Sequence, residues 1–138
     1  MDCLERTHLC IYFDLLLESD KSKSMPSKKF LEKSNMFSHI MIGTNDIVAA
    51  KIFYDAVLGA LGLPEGVVNQ EKQRVAYRTS DGTLILTKPI DGNPATVGNG
   101  STFGFKCVSI EQANAFHDNA IANGGKSIED PPGWREHG

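Results

Sequence analysis

FSHIMIGTNDIVAAKIFYDAVLGALG, residues 37–62, is the stretch of sequence that decides the fold. Residues 37–43 alternate in polarity and carry an aromatic ring and two isoleucines, which predicts a β-strand. Thr44 or Asn45 can cap the helix that follows, over residues 46–61. One face of that helix is predicted to be buried: Ala49, Ile52, Phe53, Ala56 and Ala60. Two glycines near its end are stop signals, so the stretch predicts a strand followed by a helix.

Three further strands are predicted after this helix. A short strand around residues 66–68 comes before a hairpin whose two strands are residues 73–79 and 83–88. The Ser-Asp-Gly sequence between them has the chemistry of a tight turn. A connector rich in Pro, Gly and Asn follows at residues 89–101. Residues 36–90 therefore predict one complete βαβββ unit.

The strand-then-helix pattern then begins again. Residues 100–125, GSTFGFKCVSIEQANAFHDNAIANGG, align with residues 37–62 at a shift of 63 positions without a gap. Six aligned pairs are identical: Ser38–Ser101, Ile47–Ile110, Ala50–Ala113, Phe53–Phe116, Asp55–Asp118 and Gly62–Gly125. The strand, the cap, the helix and the glycine stop all stay in phase. We interpret the two stretches as an internal repeat.

The second unit is predicted in the same terms as the first. Residues 102–108 predict a strand, and Ser109 with Gln112 forms a capping box for a helix over residues 110–123. The buried stripe of this helix is predicted to be Ile110, Ala113, Phe116, Ala120 and Ile121. A short strand over residues 126–129 is expected next.

The second unit is also predicted to be incomplete. Gly138, the last residue given, aligns with the first hairpin of the complete unit, so the counterpart of that hairpin is absent. We expect an open sheet edge as a result, and we expect a homodimer to form through it, because unpaired strand edges pair readily with other chains.

Composition and charge narrow the class of protein. A net charge of −3 and a pI near 5.8 favour neither nucleic-acid nor membrane binding. Residues 1–35 are predicted to be an N-terminal extension, flexible or loosely helical, in which the apolar run 9–17 is too short to span a bilayer. Three cysteines without CxxC spacing, at positions 3, 10 and 107, fit a reducing compartment, so we expect a cytoplasmic protein.

The order of the predicted elements resembles that of a known family. Four segments carry the likeness: FSHIMIGTNDIVAAKIFYDAVLGALGL, YRTSDGTLILTKP, NGSTFGFKCVSIEQANAFHDNAIANGG and PPGWREHG. Together they resemble the vicinal oxygen chelate superfamily, which contains the glyoxalases and bleomycin-resistance proteins. The resemblance implies an α+β fold of tandem βαβββ modules curled into a half-barrel. It assigns residues 36–138 to one domain, with a complete module at 36–90 and a partial module at 100–138.

The resemblance also implies where a metal and a ligand would bind. In this family inward residues on the first and last strands of each module hold a divalent metal, and His39 matches the first such position. A zinc, nickel or iron ion is therefore expected, but Thr102 and Thr87 match the next two positions and are poor ligands. The fourth position lies beyond the last residue given. The resemblance thus implies a metal site, whereas the residues at the matching positions, apart from His39, are poor metal ligands.

Four residues are predicted to bind a small-molecule ligand: Tyr77, Thr87, Thr102 and Trp134. For Tyr77 the alternative is packing in the core, and for Trp134 it is anchoring the chain end. Arg74 and Arg78 share one face of their strand and either hold a carboxylate or face solvent.

Three functions stay open. The first is a metalloenzyme of the lyase or isomerase type, such as a lactoylglutathione lyase. The second is a metal-free protein that binds or sequesters a small molecule, and the third is an inactive member of the family.

Overall fold

The computed structural model describes residues 11–12, 36–128 and 130–133. In chain order the elements are β1 (Ile11–Tyr12), β2 (His39–Gly43), α1 (Ile47–Ala60), β3 (Val67–Asn69), β4 (Arg74–Thr79), β5 (Gly82–Thr87), β6 (Phe103–Gly104) and α2 (Ile110–Ala122). A mixed sheet and two helices make this an α+β protein, as predicted. No helix in these residues is long and apolar enough to cross a membrane.

The main sheet has the order β2-β5-β4-β3. The antiparallel pairs β4–β5 and β3–β4 form the predicted hairpin and the short strand beside it. The first strand, β2, lies parallel to β5, with His39 opposite Thr83 and Gly43 opposite Thr87. Within the described residues β2 pairs with β5 alone, so it forms one edge of the sheet. The homodimer expected to form through an open edge stays a prediction.

Helix α1 packs on one side of this sheet and against α2. Its buried residues, Tyr54, Val57 and Leu58, join sheet residues such as Leu86 in one hydrophobic core. The predicted buried face was wrong at Ala49 and Ile52, which are exposed. The remaining members of that face lie toward α2: Asn119 Nδ2 donates to Ala56 O at 3.1 Å.

The N-cap of α1 lies one residue beyond the predicted positions. Asp46, and neither Thr44 nor Asn45, is the N-cap of α1, because its Oδ1 accepts from the backbone N–H groups of Val48 and Ala49 at 3.0 and 2.9 Å. A carboxylate in this position also interacts favourably with the positive end of the helix.

The capping box of α2 forms largely as predicted. Ser109 Oγ accepts from Gln112 N at 3.2 Å. The Gln112 side chain reaches back to the N–H of Val108, one residue before the cap, at 2.8 Å.

The two predicted repeats face each other across the α1–α2 contact. Asn119 and Ala56, which the hydrogen bond above joins, are equivalent residues at the shift of 63 positions. A contact between equivalent residues is what an approximate twofold axis between two repeats produces. Gln112 Nε2 also donates to Ala60 O at 3.2 Å and fixes the helices at a second point.

The second repeat departs from the prediction in its strands. Of the strand expected over residues 102–108 only Phe103–Gly104 is a strand, and it pairs in parallel with Ile11–Tyr12. Residues 126–128 are not a strand, and residue 129 lies outside the described residues. On α2 the central residues Ala113, Phe116 and Ala120 are buried as predicted, whereas Ile110 and Ile121 are exposed.

Candidate functional site

The side of the sheet that faces away from α1 carries three rows of side chains, which we call the open face. Strand pairing defines them, because residues directly opposite each other point to the same side of a sheet. The rows are His39–Thr83–Arg78 (row 1), Met41–Ile85–Ala76–Val67 (row 2) and Gly43–Thr87–Arg74–Asn69 (row 3). The alternate residues on these strands, such as Ile42 and Val75, point into the core.

The open face is apolar in its middle and polar at both ends. Row 2 contains four apolar side chains, of which Met41 and Val67 are exposed. Rows 1 and 3 each place an arginine on β4, four residues apart, which is roughly 13 Å along a strand. The arrangement suits a molecule with an apolar body and an acidic group, because guanidinium groups bind carboxylates, sulfonates and phosphates through paired N–H donors.

Arg74 is held in place by a residue of its own row. Its Nε donates to Thr87 Oγ1 at 3.2 Å, and Thr87 Oγ1 in turn donates to Lys88 O at 3.0 Å. Thr87 is only 8% exposed, although it lies on the open face. One of the five guanidinium donors is therefore used to orient the group.

A loop covers the end of the open face next to row 3. Asn45 Nδ2 donates to Ala95 O at 3.0 Å, and Ala95 N donates to Asn45 Oδ1 at 2.6 Å. Ala95 is thereby held so close to Gly43 that a Cβ added to this glycine would lie 3.2 Å from the Ala95 Cβ. The connector therefore forms a wall at this end, and the absence of a side chain at Gly43 permits its close approach.

The other side of the sheet is supported by a network around Asp55 of α1. Asp55 Oδ1 accepts from Tyr77 Oη at 2.8 Å and from Gly66 N at 2.9 Å, and Lys51 forms an ion pair with the same carboxylate. Burial acts to raise the pKa of Asp55, but the bonds from Gly66, Lys51 and Tyr77 outweigh it and hold that pKa below its usual range. Burial, followed by the bond to Asp55, raises the pKa of Tyr77.

A cavity, which we call the apolar cleft, lies between the end of α1 and the segment 102–106. It has a volume of about 660 Å³. Its walls include Leu58, Leu61, Phe103 and Phe105, which pack in or against the hydrophobic core. Polar groups, among them Lys106, occupy a small part of its lining.

The structure separates the predicted ligand-binding residues. Thr87 lies on the open face, and exposed His39, at the sheet edge, borders both the open face and the apolar cleft. Thr102 and the ring of Tyr77 line the apolar cleft, and Tyr77 is buried on the helix side, the alternative considered for it. Trp134 lies outside the described residues. Asn45, predicted only as a possible helix cap, and Ala95 were not predicted as site residues, because only the fold brings the connector back over β2.

The open face does not fit a zinc, nickel or iron ion. His39 is its one good ligand among the described residues, beside threonine hydroxyls and two guanidinium groups that repel a dication. Its Nδ1 lies 2.9 Å from the Ser38 hydroxyl. Nowhere in the described residues do three or more His, Cys, Asp or Glu side chains gather in a group that could hold a metal.

Comparison with known proteins shows the family. The model of the Glyoxalase/Bleomycin resistance protein/Dioxygenase superfamily matches residues 36–135. The chain belongs to this superfamily. The resemblance predicted from the sequence is thus confirmed, and the open face is the sheet surface of a glyoxalase-like module.

A solved member of the superfamily has the same fold. The chain is similar to the crystal structure of a glyoxalase/bleomycin resistance protein from Albidiferax ferrireducens T118, at 54% identity over 73% of this chain and 80% of that chain, with a TM-score of 0.70. No curated protein matches the chain.

Proposed function

We propose that this superfamily member binds a small apolar molecule with an acidic group on its open face, without a metal. The observation that carries the proposal is the position of Arg74 and Arg78 at the two ends of an apolar strip. An apolar floor with a few placed polar groups is typical of small-molecule sites. A binding or sequestering role of the bleomycin-resistance type follows.

The polar groups of rows 1 and 3 have distinct tasks in this proposal. Arg78 is exposed and binds the acidic group in row 1. Arg74 is half-buried and oriented by Thr87, so it presents its donors in a fixed direction. The side chains of row 2 contact the apolar body and remove it from water.

A lyase or isomerase reaction through a metal is the weaker candidate. It needs several deprotonated ligands in fixed geometry, and the open face offers His39 among threonines and arginines. We therefore expect His39→Ala to leave ligand binding within about twofold of wild type, since no metal mediates the contact.

Titration with 8-anilinonaphthalene-1-sulfonate, followed by its fluorescence, tests the proposal. We expect Arg78→Gln to weaken binding by about fivefold to tenfold, the loss that accompanies an ion pair near 1 kcal/mol. Arg74→Gln should weaken it by about twofold, because this charge acts from the other end of the apolar strip. The uncharged analogue N-phenyl-1-naphthylamine should bind both variants as it binds wild type, because it has no acidic group.

Two charge-matched controls locate the binding. Lys106→Gln removes a positive charge from the apolar cleft, and Lys72→Gln removes one from the exposed turn before β4. Neither should change the affinity for the sulfonate. If Lys106→Gln weakens binding and the arginine variants do not, the ligand occupies the apolar cleft and the proposal is wrong.

A further inference from the structure

We infer that Asn45 is a positioning residue that limits the length of the ligand, by holding Ala95 as a wall across the β2–β5 half of row 3. The inference rests on the proposed function and narrows its ligand class to short aromatic or alicyclic anions.

The wall is tied down at one point by two hydrogen bonds. The Asn45 amide both donates to and accepts from the backbone of Ala95, at 3.0 and 2.6 Å. These bonds join residues far apart in the chain, and they fix the connector relative to the start of α1. An amide that pairs with both groups of one residue defines its position and its orientation.

The position of Ala95 closes the open face at a definite place. Ala95 lies against Gly43, the β2 residue of row 3, and the Pro89 ring lies nearby, since a Cβ added to Gly43 would be 3.7 Å from Pro89 Cγ. Thr87, the neighbour of Gly43 in the row, is itself buried. Along β2 and β5 the accessible floor is therefore rows 1 and 2, which are roughly 7 Å apart.

This geometry predicts that a shorter anion binds more tightly than a longer one, which is the opposite of the order expected from buried apolar area alone. A longer ring system buries more apolar surface and by default binds more tightly. On this floor its far end would meet Ala95, while its acidic group stays with Arg78. A short ligand fits between the arginine and the wall, so the shorter of two homologous anions should bind better.

Naphthalene-2-sulfonate and anthracene-2-sulfonate, which differ by one ring, test this by fluorescence anisotropy. We expect wild type to prefer the shorter probe by about fivefold or more, against the order of apolar area. Asn45→Ala, which removes both bonds to Ala95, should lower this ratio to one or below. Asn93→Ala is the matched control, since this exposed side chain of the same connector bonds to Asp91, and it should keep the wild-type ratio.

The outcomes separate the two proposals. Failure of wild type to bind either probe would overturn the proposed function, and the length limit with it. Binding of both probes with no preference, or a preference that survives Asn45→Ala, would overturn the length limit alone. Circular dichroism of each variant establishes that it is folded. Ala95→Val enlarges the wall without changing Asn45, so it should increase the preference for the shorter probe.

Discussion

Removal of the Asp55 carboxylate should destabilise the fold far more than removal of its repeat equivalent, Asp118. Asp55 is 21% exposed and accepts hydrogen bonds from Tyr77 and Gly66, both of which are buried. Asp118 is 79% exposed and lies 3.5 Å from the ring of its neighbour His117. Both residues are aspartates at equivalent positions of the two repeats, so a difference between their alanine variants reports on their surroundings and not on the residue type.

The expected loss follows from the donors left behind. In Asp55→Ala the Gly66 N–H loses its acceptor, and a buried unsatisfied donor costs about 1 to 3 kcal/mol. The Tyr77 hydroxyl keeps a long contact of 3.4 Å to Lys51 O, which offsets part of its loss. We therefore expect the free energy of unfolding to fall by about 2 to 4 kcal/mol for Asp55→Ala and by about 1 kcal/mol for Tyr77→Phe.

Urea unfolding followed by circular dichroism at pH 7 measures these differences. Asp118→Ala, the matched control, should change the free energy of unfolding by about 0.5 kcal/mol or less, as exposed substitutions do. Equal losses for Asp55→Ala and Asp118→Ala would refute the reasoning. So would additive losses in Asp55→Ala combined with Tyr77→Phe, since residues in one network are expected to be coupled.

The remaining predictions concern pH, the core and a helix cap. The folded state lowers the pKa of Asp55 from its usual 3.8, so the carboxylate stabilises the protein above that pH. The difference in free energy of unfolding between wild type and Asp55→Asn should shrink as the pH falls toward the lower pKa of the folded state. Urea unfolding at pH 7 and pH 3 tests this, and the same difference at both pH values would contradict it. Phe116→Ala should cost about 3 to 5 kcal/mol in thermal or urea unfolding, whereas Ile90→Ala, at a fully exposed position, should be neutral. Asp46→Ala should cost about 1 kcal/mol and Asp46→Asn much less, because the amide oxygen still caps α1; equal losses would show that the cap is not responsible.

Strands and helices with local signals can be predicted from the sequence. The hairpin β4–β5 is recognisable from its alternation and its Ser-Asp-Gly turn, and α2 from the capping box at Ser109. These signals lie within a few residues of the structure they specify, so no knowledge of the rest of the chain is needed.

The buried face of α1 could not be predicted, because the helix is apolar on more than one side. It contacts the sheet through Tyr54, Val57 and Leu58, and it contacts α2 on the side of Ala56 and Ala60. A single hydrophobic stripe cannot represent two contact surfaces. The predicted face included Ala56 and Ala60 toward α2 and the exposed Ala49 and Ile52, and it missed the residues toward the sheet.

The candidate site was predictable only in part, because strand register decides which side chains share a face. Alternation shows that Arg74 and Arg78 lie on the side of β4 opposite to Tyr77, but it does not show which side meets α1. The bond from Tyr77 to Asp55 settles that question, and it places both arginines on the open face. The wall formed by Ala95 depends on a contact between residues 50 positions apart and has no local signal.

The parallel pairing of β2 with β5 has a consequence for how the protein is made. During synthesis β2 and α1 leave the ribosome before β5 does, whereas β4 and β5 are neighbours in the chain and are joined by a short turn. Pairings between distant segments are slow because the intervening chain must first be closed into a loop. β2 therefore has no partner in this sheet until β5 has been synthesised, and until then the apolar side of α1 that packs on the sheet stays uncovered.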